Sequence, residues 1–237
     1  RGRRGHCGQY GTDCLVPGMA VEIVDNHTLE AYARRIVAKV ERFNKEYSAV
    51  TFTEPLPENI RPGHLIAADE PGPDVHISGC RMSGNRARGL LIGSRGRVII
   101  ENNYFHIAGA SILFEGDGNF WFEQSGVRDV TIRNNIFANG NYGSRGWGSA
   151  CIAVGSGISQ RQTSRYHRNI QVDGNLFRVF DPRIVNLYCV DGFQFSASNR
   201  IVRTSDYPAT FDPKLHFVFD QCDHIEIPRQ IEMADQR

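Results

Sequence analysis

The feature that most constrains the fold is a short repeat that begins at Val75. Four segments of eight residues align without gaps: VHISGCRM, VIIENNYF, VTIRNNIF and IQVDGNLF. Positions one, three and eight are apolar in all four, and position six is Cys80, Asn103, Asn135 or Asn175. The segments start at residues 75, 98, 130 and 170, so their spacing grows from 23 to 32 and then to 40 residues. Such a repeat indicates a solenoid, because one copy is too small to bury its own apolar face.

A second apolar strand follows each segment. These strands are GLLI, ASILF, ACIAV and RIVNLY, which start at residues 89, 110, 150 and 183. Each copy thus has inward-facing apolar residues, a turn and another strand. This pattern predicts an all-β chain whose main part is a right-handed parallel β-helix. The asparagine at position six predicts an internal ladder, in which side-chain amides bond each other and the turn backbone. Cys80 replaces this asparagine in the first copy, where we expect the ladder to end.

Residues 1–72 do not join the repeat. Their apolar residues alternate as in strands, around turns such as LPEN and RPGH, and a boundary is expected near DEPGPD at residues 69–74. The sequence therefore predicts two units. Residues 1–72 are expected to form a small antiparallel β-barrel-like lobe, and residues 73–237 are expected to form the β-helix coils.

Composition excludes some partners and cofactors. The formal net charge is +1, which argues against a broad nucleic-acid or membrane surface. None of the six cysteines stands in CxxC spacing, and the eight histidines show no HxH or HExxH pattern. We therefore expect no metal ion and no other cofactor.

The stretch FEGDGNFWFEQSG, residues 114–126, carries the densest group of chemically useful side chains. It interrupts the repeat, and insertions in a solenoid often lie on the working face. Glu115, Asp117 and Glu123 are candidate catalytic carboxylates, because glycoside hydrolysis needs one carboxyl group as acid and another as base or nucleophile. Trp121 is a candidate platform for a sugar ring. The alternative is that these aromatic residues plug a coil end or a lobe interface.

Three further residues are candidates for substrate binding. Trp147 lies in a second glycine-rich insertion, NGNYGSRGWGSA, at residues 139–150. His106 follows the strand of the second copy, and Arg88 occupies the equivalent turn one coil earlier. An ordinary surface turn is the alternative role for His106, and an ion pair with Glu115 is an alternative for Arg88.

The run ILFEGDGNFWFEQSGVRDVTIRNN (112–135), together with LPENIRPGHLI (56–66) and LFRVFDP (176–182), closely resembles glycoside hydrolase family 110. The resemblance covers about two thirds of the chain. It implies a β-helix with a β-barrel lobe and an exo-acting, inverting, metal-independent galactosidase that releases terminal α-1,3-linked galactose from glycans. It also implies a homodimer through the lobe. Glu115, Trp121 and Glu123 would line the galactose pocket, with Asp117 and Arg88 near it.

One part of the family pattern is missing. The paired aspartates of an Asp-Asp…Asn-x-His-Gly stretch, expected just before the lobe, do not occur, and the chain opens on RGRRGHCGQYG without an initiator methionine. We therefore expect a C-terminal portion of a longer enzyme, with catalytic aspartates upstream. A secreted or periplasmic location is expected for an enzyme that acts on glycans.

Two other functions fit a β-helix, since this fold supports several activities. A polysaccharide lyase would need a base and an anion clamp, for which Arg86, Arg88 and Arg95 are available. A non-catalytic glycan-binding solenoid would bind sugar without turnover. The long insertion motif favours the hydrolase.

Overall fold

The computed structural model describes residues 4–8, 14–44, 47–70, 72–122, 126–143, 148–208 and 216–235. The regular elements of these residues are β-strands. No helix long and apolar enough to cross a membrane occurs in this part of the chain. The predicted all-β class is therefore confirmed.

Five strands form an antiparallel sheet at the N-terminal side. They are β1 (Arg4–Gly8), β2 (Ala20–Val24), β3 (Ala31–Arg42), β4 (Tyr47–Phe52) and β5 (Leu65–Ala68). Their order across the sheet is β1-β4-β3-β2-β5. The predicted antiparallel lobe is thus present, and the predicted division at residues 72 and 73 falls in the connection that follows β5. That exact boundary stays a prediction.

The parallel strands follow in chain order. They are β6 (Val75–Ser78), β7 (Arg81–Ser83), β8 (Leu90–Ile92), β9 (Arg97–Glu101), β10 (Tyr104–His106), β11 (Ile112–Gly116), β12 (Asp129–Arg133), β13 (Ile136–Ala138), β14 (Ile152–Ser156), β15 (His167–Asp173), β16 (Leu176–Val179), β17 (Arg183–Tyr188), β18 (Val190–Phe195), β19 (Arg200–Arg203), β20 (His216–Asp220), β21 (Asp223–Glu226) and β22 (Met233–Asp235).

Every third strand belongs to the same parallel sheet. The first sheet has the order β6-β9-β12-β15-β18-β21, the second β7-β10-β13-β16-β19-β22, and the third β8-β11-β14-β17-β20. Each coil contributes one strand to each sheet, from β6–β8 in the first coil to β18–β20 in the fifth. This arrangement is a parallel β-helix, as the repeat predicts.

The eight-residue segments contain two strands each rather than one. The turn between the first and second sheets divides them at residues with a positive φ: Gly79 (67°), Asn102 (56°), Asn134 (54°) and Gly174 (62°). Glycine and asparagine tolerate this left-handed conformation better than other residues. The chain therefore bends sharply enough for a strand of three or four residues to follow.

The ladder at position six is confirmed. The backbone N–H groups of Cys80, Asn103, Asn135 and Asn175 each donate to the Oδ1 of the asparagine in the next coil, at 2.9–3.0 Å. Asn199 supplies the last of these acceptors. The Nδ2 groups of the three middle asparagines also donate to a backbone carbonyl of the coil before and to the next Oδ1, at 2.9–3.0 Å. The ladder ends at Cys80, as predicted.

The apolar core runs along the helix axis. Phe105, Phe137 and Phe177 occupy position eight of successive copies and are fully buried. Their ring centroids lie 5.2 and 4.6 Å apart at interplanar angles of 13° and 6°. Stacking equivalent residues from coil to coil buries the apolar face that one copy leaves open.

The lobe contacts the β-helix at the turns after the third sheet. Leu29 and Leu65 of the lobe pack with Ile158, Tyr166 and Cys189 of the coils. The Arg95 Nη1 lies 2.7 Å from the Glu22 Oε2 across the same junction. The lobe therefore stands beside the turn that follows β11 and carries Asp117.

Candidate functional site

Glu115 lies near the C-terminal end of β11 in the third sheet. Its neighbours Phe114 and Gly116 are buried, whereas Glu115 is exposed, as the two-residue period of a strand requires. The parallel register places it beside Gly155 of β14. The carboxylate therefore projects from the outer face of the sheet into solvent.

Asp117 holds the loop that follows β11. Its carboxylate accepts hydrogen bonds from the backbone N–H groups of Asn119 (2.8 Å), Phe120 (3.0 Å) and Trp121. Partial burial acts to raise the pKa of Asp117, but these three hydrogen bonds outweigh it and leave the pKa below its usual value. Asp117 thus remains ionised and fixes the loop backbone. Its predicted role in proton transfer stays a prediction.

The same loop presents aromatic side chains to solvent. Phe120 and Trp121 are each 70% exposed, and Phe122 is 42% exposed. The rings of Phe120 and Trp121 meet edge to face, with centroids 4.7 Å apart. Exposed large aromatic side chains on a fixed loop are typical of a binding surface.

The start of the loop contacts the lobe. Gly118 lies so close to Leu29 and Leu65 that a Cβ atom at this position would come within 2.7 Å of Leu29. The Asn119 Nδ2 donates to the Asn26 carbonyl at 3.0 Å. Gly118 and Asn119 therefore pack at the lobe interface, whereas the rings of Phe120 and Trp121 do not plug it, and the role of Trp121 as a sugar platform stays a prediction.

His106 lies at a different turn, between the second and third sheets. Its Nδ1 lies 2.8 Å from the Ala138 carbonyl oxygen, which can only accept, so Nδ1 carries the proton. Its Nε2 faces the Tyr207 hydroxyl at 3.4 Å. The ring stacks on Tyr142, with centroids 4.8 Å apart, and Tyr142 stacks on Tyr207 at 5.7 Å.

The two tyrosines were not identified from the sequence. Tyr142 and Tyr207 are far apart in the chain, and the stacking of coils brings them together. The only available signal was the position of Tyr142 in the insertion at 139–150. His106 is therefore part of an aromatic cluster rather than an isolated surface residue, and its contact with substrate stays a prediction.

The predicted residues thus separate into two groups. Arg88 lies in the turn before β8, and the register pairs Leu90 with Ile112. Arg88 precedes this pair, whereas Glu115 follows it by three residues of strand, roughly 10 Å at 3.3 Å per residue. Glu115, Asp117 and Trp121 lie at one end of the third sheet, and Arg88 and His106 lie at the other.

Two predicted residues, Glu123 and Trp147, lie outside the described residues. Among those described, no cluster of three His, Cys, Asp or Glu side chains has the spacing of a metal site. Arg95, one basic residue of the lyase alternative, is 9% exposed at its side chain and bonds Glu22 and the Ala68 carbonyl. It is therefore committed to the lobe junction.

Comparison with known proteins gives a consistent picture. The family described as GLAA-B β-barrel domain II matches residues 1–66. An α-1,3-galactosidase A from Shewanella woodyi is 38% identical over 204 residues, which is 86% of this chain and 33% of that protein.

Two further relatives match a similar share of this chain and a similar share of their own length. An α-1,3-galactosidase B from Bacteroides thetaiotaomicron is 34% identical over 89% of this chain and 34% of its own length. An α-1,3-galactosidase A from Bacteroides fragilis is 31% identical over 92% of this chain and 36% of its own length. The chain spans about one third of the length of these curated relatives. It is therefore a relative of the α-1,3-galactosidases, as its resemblance to glycoside hydrolase family 110 predicts.

Proposed function

We propose that this protein, within a full-length chain like that of its relatives, is an exo-acting glycoside hydrolase that releases terminal α-1,3-linked galactose from glycans. The curated relatives are named α-1,3-galactosidases. The observation that carries the proposal is an exposed carboxylate, Glu115 at the end of β11, followed by an exposed ring, Trp121, on the loop that Asp117 holds.

The proposed mechanism inverts the configuration at the anomeric carbon. A carboxylic acid protonates the glycosidic oxygen as the bond from this oxygen to C1 breaks. A second carboxylate removes a proton from the water that bonds to C1 from the opposite face, so the product is β-galactose. The two carboxyl groups of an inverting enzyme are about 6.5–9.5 Å apart.

We assign Glu115 as one of these two catalytic carboxyl groups. Asp117 remains ionised and holds the loop, and the partner of Glu115 is Glu123 or an aspartate of the upstream part of the full-length chain. Trp121 offers a flat apolar face to the C–H side of the galactose ring.

The test is proton NMR of galactose release from α-1,3-galactobiose by the full-length protein and by this chain alone. We expect the full-length protein to release β-galactose first. Replacing Glu115 by glutamine should lower kcat about 100-fold or more, the usual contribution of a positioned acid or base. Glu54→Gln, at an exposed glutamate of the lobe, is the matched control and should retain full activity.

Four outcomes would count against the proposal. Initial release of α-galactose excludes inversion, and normal activity of Glu115→Gln removes this residue from the catalytic pair. Binding of galactobiose without any release favours a non-catalytic glycan-binding solenoid. An unsaturated product that absorbs in the ultraviolet favours the lyase.

The resemblance also supports two proposals about the whole protein. A homodimer through the N-terminal lobe predicts twice the monomer mass in sedimentation equilibrium, and a monomer mass at micromolar concentration rejects it. A secreted or periplasmic location predicts the protein in the culture medium or periplasmic fraction, and recovery only from the cytoplasm rejects it.

A further inference from the structure

The outer face of the third sheet has a groove along β14. Gly155 of β14 pairs with Glu115 of β11, and on its other side Tyr188 of β17 directly follows Leu187, the partner of Val154. An ideal Cβ atom at Gly155 would meet only the Tyr188 Cδ2, at 3.8 Å. Because neighbouring strands lie about 4.8 Å apart, the backbones of β11 and β17 are separated by about 10 Å, and no side chain rises between them at Gly155.

One step back along β14 the floor is again small. Ala153 lies between Leu113 and Asn186 in the parallel register. Ala153 faces outward, yet it is only 4% exposed. Ala153 is therefore covered, and the open part of the groove lies at Gly155, between Glu115 and Tyr188, with Asn186 at its buried end.

Asn186 has a polar atom that lacks a partner. The residue is 7% exposed, and its Oδ1 is buried without a hydrogen bond to any residue that the structure describes. Buried polar atoms of folded proteins are almost always hydrogen-bonded, because an unpaired acceptor has lost its water without compensation. A hydroxyl group of a ligand, or a water molecule, can supply the donor that this oxygen lacks among the described residues.

The wall opposite Glu115 is held in place. The Arg161 guanidinium lies over the Tyr188 ring, 4.5 Å from its centroid. The same guanidinium lies 3.4 Å from the Asp220 Oδ2. Tyr188 is therefore fixed as an aromatic wall rather than a mobile surface side chain.

The floor is held from inside the β-helix. The Nε2 of the fully buried His167 donates to the Gly155 carbonyl at 3.1 Å. A ligand in the groove would thus meet a surface whose geometry exists before binding, which reduces the entropy lost on association.

We propose that this groove binds one pyranose ring of the glycan substrate. Glu115 and the Asn186 Oδ1 accept hydrogen bonds from sugar hydroxyl groups, and the Tyr188 ring packs against the C–H face. The inference rests on the proposed function for its ligand class, and it adds Asn186, Tyr188 and the small floor residues to the site.

Two glycine substitutions give a matched test. Gly155→Val fills the groove, and valine suits a strand with free space above it. Gly157→Val places the same side chain two residues later, where nothing lies within 4 Å of the new Cβ atom. Both variants are made in the full-length protein, and circular dichroism and the melting temperature establish that they fold.

The probe is S-linked α-1,3-galactobiose, which resists hydrolysis, titrated by isothermal calorimetry. We expect Gly155→Val to weaken binding at least tenfold and Gly157→Val to bind like the wild type. Asn186→Ala should weaken binding about three- to tenfold, the contribution of one hydrogen bond. This second variant also decides the question if Gly155→Val fails to fold.

Wild-type affinity in both Gly155→Val and Asn186→Ala would overturn the groove and leave Asn186 as the site of a structural water. Galactose release by these variants at the wild-type rate would also count against the groove, while the proposed function stands. Groove-dependent binding in a protein that releases no galactose would support the groove and reject the hydrolase.

Discussion

Replacing Asn135 by alanine should remove the centre of the asparagine ladder. The Asn135 Oδ1 accepts the backbone N–H and the Nδ2 of Asn103, each at 3.0 Å. Its Nδ2 donates to the Ile100 carbonyl at 2.9 Å and to the Asn175 Oδ1 at 3.0 Å. All these groups lie inside the β-helix, where Asn135 is 1% exposed, so water cannot replace the lost partner.

The expected cost follows from the groups left unpaired. The Asn103 N–H loses its acceptor, and the Ile100 carbonyl loses a donor. A buried polar group without its partner costs about 1–3 kcal/mol, so Asn135→Ala should lower the free energy of unfolding by about 2–6 kcal/mol. That is a large share of the roughly 5–15 kcal/mol that stabilises a typical domain.

Asn199→Ala is the matched control. Asn199 also makes four hydrogen bonds, to Asn175, Val172 and Ser196, but it is half-buried at the end of the ladder. Water can satisfy the freed groups there, so a loss of about 1 kcal/mol is expected.

Equilibrium unfolding in urea, followed by circular dichroism, measures both variants. Asn135→Ala should shift the midpoint further than Asn199→Ala at an unchanged slope. Equal shifts for the two variants would refute the argument that burial of the ladder sets its contribution.

Two further predictions concern single side chains. Burial lowers the pKa of His167 from 6.5 to about 4, although its hydrogen bond to Gly155 acts to raise it. Between pH 6.5 and pH 4 the unfolded chain therefore binds a proton that the native chain does not. Stability should therefore fall by about 3 kcal/mol as the pH drops from 6.5 to 4, and urea midpoints of His167→Gln should lack this component; an identical pH profile in the variant would reject it. Asp117→Ala should free the loop backbone and lower the steady-state anisotropy of Trp121 fluorescence, while Asp129→Ala, at an exposed strand aspartate, should leave it unchanged. Equal anisotropy in Asp117→Ala and the wild type would show that the carboxylate does not hold the loop.

Much of the β-helix could be predicted because its periodicity is visible in the sequence. The recurrence of asparagine at position six predicted a ladder, and the structure contains it from Asn103 to Asn175. The strands of the second sheet were less visible. They are as short as three residues. The turn before each of them needs a left-handed backbone at residues such as Asn102 and Asn134, and apolar periodicity does not predict this conformation.

The site was harder to predict because it depends on how coils stack. Strand alternation predicts that Glu115 is exposed, and it also places Asn186 and Tyr188 of RIVNLY on one face. The sequence does not show which strands are neighbours in the sheet. The structure shows that Glu115 and Tyr188, from the coils before and after, lie on either side of Gly155. The three hydrogen bonds that Asp117 accepts from backbone N–H groups depend on the loop conformation, which no periodic pattern in the sequence predicts.

The ladder also separates two quantities that are linked in most folds. The residues it joins are 23, 32, 40 and 24 positions apart in the chain, yet each N–H to Oδ1 distance is 2.9–3.0 Å. The hydrogen bonds therefore hold one coil height regardless of how much chain each coil contains. Loops at the corners can lengthen or shorten without moving the strands, so new side chains can be added around the groove while the scaffold beneath it keeps its dimensions.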